Sequence, residues 1–418
     1  MTTDPVLHWN EVLLDVIRHG GGPLGPIARG AAMMHCAIHD AVCSIVPAHA
    51  PYLMTIPAAP DASIEAAVAQ AARDTLLVAF PSTSVDVRGT FRDALAPLPA
   101  GSAVATGRAI GKASAAAMII AREHDGAGAV AGHVAGTAPG EWRVIDGADA
   151  ATPQWSGVMP FTMSARSEFR PPRPGGHRST ADLLAGCEYA EQLAEVKALG
   201  EATSARRTAE QTEIAFFWAN DADGTYKPPG QLLQITRIVS EQRGLGVVEN
   251  ARMFALVALA LADAAVCAWD AKAFTGLWRP QTAVHEAGGD GNPATESDAA
   301  WEPLSREGAV HHTPPSPSYV SAHATLAGAH ASIMRLYFGS DDVAFMATSE
   351  DPSLPADTTR SFDSFSAAAA EHARSRIHLG VGFPWDADEG LRAGAAVAEA
   401  LFAARLQPIA ERAARDAA

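Results

Sequence analysis

The sequence predicts an all-α protein, because apolar residues recur at helical spacing along most of its 418 residues and extended alternating strand patterns are absent. The first helix opens at Asp4-Pro5, read as N-cap and first helical residue, and sets Val6, Trp9, Val12, Leu13 and Ile17 on one face. Further helices are expected over 28–45, 64–80, 84–97, 102–123, 180–198, 205–219 and 229–243. Four more follow at 248–274, 319–337, 361–377 and 387–406.

Two stretches interrupt this pattern. Residues 126–178 are rich in Gly, Pro and Trp, and FRPPRPGGH cannot continue a helix, since each proline lacks a donor and restricts the residue before it. A second long loop is expected over 281–315. The first stretch separates an N-terminal helical half, 1–170, from a C-terminal half, 171–418, that holds every chemical motif.

Composition bounds the function. A formal charge of −16 argues against nucleic acid and against an anionic membrane surface as partners. An anionic substrate must then be captured by a local basic pocket. The start MTTDPVLHWNEVLL lacks a basic segment followed by an apolar run, so no signal peptide is expected and the location is read as cytoplasmic. FALVALALA at 254–262 is too short to span a bilayer and runs into Asp263. Cys36, Cys43, Cys187 and Cys267 form no close metal-like pairs and read as small buried hydrophobes.

Three blocks in the C-terminal half carry chemistry. KAFTGLWRP places Lys272 six intervening residues before Arg279-Pro280, with Trp278 beside the arginine. SYVSAHAT offers Ser321, Ala322 and His323 at the start of a helix preceded by Pro314, Pro315 and Pro317. Unpaired N–H groups and the positive dipole end suit a phosphate-like anion there, although Ser321 alone reads as a simple N-cap. SRIHLGVGFPWD holds Ser375, Arg376, His378, Gly382 and Asp386. Lys272 and Arg376 taken singly are explained by their places near helix C-termini; together with Arg279 they make a cradle for an oxyanion.

Other clusters are weaker. His35, His39 and Asp40 have a metal-compatible spacing but lack the glutamate of a zincin, so a structural role is preferred and no metal site is assigned. His311-His312 could line a pocket mouth, and NDADG at 220–224 lacks the rest of a calcium loop. Asp386-Ala-Asp-Glu389 reads as an N-cap and capping-box pattern for the last helix.

In order and spacing the three blocks resemble the vanadium-dependent haloperoxidases and the related type 2 phosphatidic acid phosphatases, and the resemblance extends over nearly the whole chain. It implies two packed helical bundles joined by long loops, with the site in the second. Lys272, Arg279, Arg376, Ser321 and the Ala322 amide would hold the oxyanion, and His323 would act as acid-base histidine. Val320 and Ala322 depart from the proline and glycine of the family pattern.

The decisive departure is Gly382, where the family has the histidine that bonds vanadium or becomes phosphorylated; glycine can do neither. His378 is the neighbouring candidate to replace it. The resemblance therefore points to a vanadium-independent enzyme that uses the cradle on an organic small molecule. Ionisation or cyclisation of a prenyl diphosphate is preferred, with aromatic walls drawn from Phe216, Phe217, Trp218, Phe274, Trp278, Phe383 and Trp385. A vanadium haloperoxidase using halide and peroxide is the alternative, and a cofactor-independent isomerase the third. No cofactor is expected and no covalently held vanadate; Mg2+ and a homo-oligomer are both compatible with this reading.

Overall fold

The computed structural model describes residues 4–57, 61–132, 135–145 and 149–409; residues 1–3 and 410–418, the ends of the two expected halves, lie outside them. Among the described residues fourteen α-helices dominate. The first five are α1 (Pro5–Gly20), α2 (Leu24–Ile45), α3 (Ile64–Ala79), α4 (Val87–Leu95) and α5 (Ser102–Arg122). After the Gly- and Pro-rich stretch come α6 (Thr180–Leu184), α7 (Cys187–Gly200), α8 (Ala209–Phe217), α9 (Lys227–Arg243), α10 (Val247–Thr275) and α11 (Pro280–Glu286). The chain ends on α12 (Ala322–Phe338), α13 (Phe365–His378) and α14 (Pro384–Ala404).

Local chemistry sets these boundaries. Asp4 caps α1 by accepting from the N–H groups of Val6 and Leu7, as expected. The helix expected over 180–198 divides because Gly186 takes an extended backbone between α6 and α7. Thr208 and Gln211 form a capping box that starts α8. The expected loop 281–315 contains α11, whose Pro280 sits in the first turn where its missing N–H costs nothing.

Short strands correct the expectation that extended structure is absent. β1 (Arg306–Glu307) pairs antiparallel with β2 (Val310–His311). β3 (Phe345–Thr348) pairs antiparallel with β4 (Thr359–Phe362), so the helix expected from 361 begins only at Phe365. Phe345 and Ala347 alternate inward with exposed Met346, a two-residue period too short to stand out in the sequence.

The axis of the fold is α10, which packs against α2 on one side and against α12 and α14 on another. The apolar run 254–262 continues into a helix that by length and composition alone could cross a membrane, but 94% of its most apolar window is buried inside the protein. The stretch 126–178 is strapped onto this helix by two carboxylates. Asp263 accepts from the N–H groups of Phe161 (2.6 Å), Thr162 (2.8 Å) and Met163 (3.2 Å), and Asp270 accepts twice from Arg170. Along the α12–α14 contact, Gly394 lets the two backbones close together: a Cβ there would stand 2.0 Å from the Thr325 carbonyl oxygen.

The core also buries neutral imidazoles. His35 stacks on Phe254 at 5.0 Å and meets Asn10, while His330 meets the Thr236 hydroxyl at 3.0 Å. Burial holds both pKa values down, to about 3 from an ordinary 6.5. The unfolded chain therefore binds more protons between these values. Their contribution to stability is complete above about pH 6.5 and is lost as the pH falls towards 3. The urea midpoint is expected to drop between about pH 7 and pH 4, with a shallower drop in His330→Asn.

Candidate active site

A cavity of about 740 Å³ lies where the α8–α9 loop, the C-terminal end of α10 and the N-terminal ends of α12 and α14 converge. Lys272, Arg279, Ser321, Ala322, His323, Arg376 and Gly382 all line it. The structure thus brings together seven positions that the sequence motifs single out.

Each cation is placed by backbone it also braces. Lys272, in the last turn of α10, donates to the carbonyl oxygens of Pro317 and Ser318, the latter at 2.9 Å. Arg279, the N-cap residue of α11, donates to the Ser316 carbonyl (2.7 Å), the Ser316 hydroxyl (2.8 Å) and the Val381 carbonyl (2.6 Å). It therefore ties the loop before α12 to the loop before α14. Arg376 reaches Asp221 at 3.4 Å, and its Nη1 is buried with no hydrogen-bond partner.

The cations are crowded. Burial and the neighbouring Arg279 and Arg376 hold the Lys272 ammonium well below its usual range, against the pull of Asp386. Burial and Arg376 likewise push Arg279 down to about 10, although Asp386 and Asp221 oppose this. A buried group of like charges with too few counter-charges favours an incoming anion.

Ser321 is the N-cap of α12, with its Oγ accepting from Ala324 N–H at 3.2 Å. The bland and the functional readings of this serine coexist, because its hydroxyl hydrogen stays available to donate. Ala322 is the first helical residue, and its N–H is among the four that a helix leaves unpaired. His323 follows, with Nε2 3.4 Å from Asp221 Oδ1 and Nδ1 3.3 Å from His372 Nε2. His372 in turn stacks on Trp218 at 4.5 Å.

Asp221 is the residue that sequence reasoning missed. It lies in the NDADG loop and joins His323 to Arg376, while half of its side chain stays exposed to the cavity. Burial would raise its pKa, but His323, Arg376 and Lys227 together hold it well below the usual carboxylate range. No motif spacing could have found it, because its partners sit on α12 and α13, far along the chain. His323 is held below its ordinary pKa by burial and Arg376, and Asp221 opposes that fall. With His323 as the proton donor, Asp221→Asn is therefore expected to move the alkaline limb of a pH–rate profile to lower pH, measured as kcat against pH.

Ser375, His378 and Trp278 fall outside the cavity lining. His378 ends α13 two positions after Arg376, which turns it to the far side of the helix, where Arg374, Arg207 and Glu195 are its charged neighbours. Burial and Arg374 hold it down to about 4. The chain then leaves the helix through Gly380 at φ 76°, so positions 378 and 382 share no helical face. Trp278 is fully buried in the core beside Arg279. Of the aromatic walls expected, Phe216 lines the cavity; Trp269, not singled out in the sequence, lines it too. His312 reaches the cavity mouth and His311 does not.

Asp386 is the third residue of α14 rather than its N-cap; Phe383 holds the cap position, and its N–H donates to Asp386 Oδ2 at 2.9 Å. The same oxygen accepts from the Ser318 hydroxyl, and the Asp386 carbonyl accepts from Ser321 N–H at 3.0 Å. Asp386 thereby locks the start of α12 to the start of α14. Its Oδ1 is buried and has no hydrogen-bond partner. A Cβ at position 382 would meet Asp386 Oδ2 at 3.4 Å and Arg376 Cβ at 3.8 Å, ordinary contact distances.

Comparison with known proteins places the chain among proteins of related sequence and fold. Residues 252–411 match the family model of the VCPO second helical-bundle domain. The chain is 31% identical over 264 residues to the vanadium chloroperoxidase of Curvularia inaequalis, a match over 51% of this chain and 42% of that relative's length. Its fold is similar to that of a bacterial vanadium-dependent iodoperoxidase, at a TM-score of 0.80 and 21% identity over 98% of both chains. A holo-type bacterial vanadium-dependent chloroperoxidase is similar at a TM-score of 0.69 and 16% identity over 92% of both. Residues 252–411 thus match the second helical-bundle domain of the vanadium chloroperoxidases, and the fold is that of the vanadium haloperoxidases.

Vanadate is the group this family implies. The cations, the Ser321 hydroxyl and the start of α12 fit an oxyanion held by charge and hydrogen bonds. By the resemblance the position expected to bond vanadium is Gly382, which has no side chain; a Cβ there would face Asp386 Oδ2, which already accepts from the Ser318 hydroxyl and the Phe383 N–H. The donor set fits the anion and does not fit its covalent anchor.

Proposed function

We propose that this chain is an enzyme that binds an oxyanion without a covalent bond and uses it as the leaving group of an organic substrate, a prenyl diphosphate being the best fit. The observation that carries this reading is the cavity shared by Lys272, Arg279 and Arg376 with Gly382, which cannot act as nucleophile. Diphosphate would sit on the three cations and the Ser321–Ala322 helix start, and its isoprenoid tail would extend along Phe216, Trp269, Leu379 and Val381, which line the same cavity.

In the reaction the carbon–oxygen bond breaks with its electron pair passing to diphosphate. The buried cations stabilise that developing charge, and His323 donates to the leaving oxygen while Asp221 orients the ring. The allylic cation left behind then loses a proton or takes up water. Trp269 and Phe216 line the cavity that would enclose it.

The second reading is a vanadium haloperoxidase, favoured by the names of the relatives and by the same cationic cradle. One two-armed assay separates them. Purified protein is incubated with farnesyl or geranylgeranyl diphosphate, and separately with halide, peroxide and vanadate, each followed by mass spectrometry. Prenyl hydrocarbon or alcohol without added vanadate is the expected result. Halogenated product in the second arm alone would replace the first reading with the second.

A further inference from the structure

Away from the cavity, the C-terminal end of α2 and the loop after it bring three metal-ligating side chains together. We propose that His39, Cys43 and His49 form a binding site for a thiophilic divalent cation, with zinc the ion their chemistry fits. One ligand atom from each residue lies within 4.8 Å of the other two, and none of the three lines the active-site cavity.

The spacing is that of ligands rather than of mere neighbours. His39 and Cys43 lie one turn apart on α2, with His39 Nε2 3.4 Å from Cys43 Sγ. A tetrahedral zinc with nitrogen at about 2.0–2.1 Å and sulfur at about 2.3 Å sets those two ligand atoms about 3.5 Å apart. The third residue, His49, carries a buried Nδ1 with no hydrogen-bond partner. Its ring is half-buried, which leaves an access route for an ion from solvent.

The surroundings hold the ligands in place. His39 Nδ1 faces Asp40 Oδ1 at 3.3 Å, the carboxylate–histidine arrangement that fixes the ring and turns Nε2 towards a metal. Asp40 is itself held by the N–H groups of Tyr52 (2.6 Å), Leu53 (2.8 Å) and Met54 (3.2 Å), so the loop carrying His49 is clamped over the helix end. Two imidazoles and one thiolate select zinc over magnesium or calcium, which take oxygen ligands, and leave the fourth tetrahedral position open. On binding, the Cys43 thiol loses its proton and the sulfur bonds to the metal as thiolate. The HxxxHD spacing pointed to His35 as the partner of His39; the structure instead turns His35 onto Phe254 and pairs His39 with Cys43.

The test uses the full-length protein, stripped with a chelator and titrated with Co2+ as a spectroscopic reporter and then with Zn2+ in competition. One equivalent of cobalt is expected to produce a thiolate charge-transfer band that zinc abolishes. The band should persist in Cys187→Ser, which removes the exposed thiol, and vanish in Cys43→Ser. His49→Gln sits on a half-buried loop and keeps the fold, as circular dichroism will check. It should weaken zinc at least about 100-fold, since even outer partners of a metal ligand are worth about 10- to 100-fold. Absence of a stoichiometric band, a band that follows Cys187 rather than Cys43, or unchanged zinc affinity in His49→Gln would overturn the site.

Discussion

Arg376→Ala and His323→Ala are each expected to lower turnover of an allylic prenyl diphosphate by about 100- to 1000-fold, the usual cost of removing one preorganised donor from a developing charge. Arg376 lines the cavity, and one of its guanidinium nitrogens is buried with no hydrogen-bond partner in the protein. His323 stands at the start of α12 between Asp221 and His372, held for proton or hydrogen-bond donation. Both variants should keep the far-ultraviolet circular dichroism of the parent, because α12 and α13 are packed by their apolar residues. Single-turnover rates measured without vanadate or peroxide check this; near-parental rates would remove both residues from the chemistry.

Gly382→His carries the second large effect: vanadate affinity should rise about ten- to a hundredfold, the worth of one charge-assisted hydrogen bond before any coordinate bond is counted. The backbone permits the change. Gly380 takes φ 76° with the Gly200 carbonyl 2.5 Å from a hypothetical Cβ, whereas Gly382 is not among the positive-φ glycines and a Cβ there meets nothing closer than 3.4 Å. Equilibrium titration with vanadate measures the gain, and a folded variant with parental affinity would show that more than one ligand separates this cavity from a vanadate site.

How much of this was legible in the sequence depends on the range over which each interaction acts. Helical periodicity and caps are local, so α1, α3, α5 and α9 appear close to where they were expected. Lys272, Arg279, Ser321, His323 and Arg376 were found because each lies in a block of fixed internal spacing. Asp221 was invisible because its role exists only when the α8–α9 loop is folded against α12 and α13. The same holds for His49, which joins His39 and Cys43 only through the clamped turn after α2. His378 misled for the opposite reason: it is adjacent in sequence to the site, and helix rotation turns it away. The β3–β4 pair was missed because four-residue strands carry too few alternations to register against a helical background.

The central claim is an oxyanion cradle that works without a covalent anchor, and crystals grown with inorganic diphosphate test it most directly. The predicted result is a diphosphate in the cavity, contacting Lys272, Arg279, Arg376 and the Ser321–Ala322 helix start, with no bond to any side-chain nitrogen. Diphosphate bound elsewhere on the protein, or a phosphorus atom covalently attached to a histidine, would contradict it.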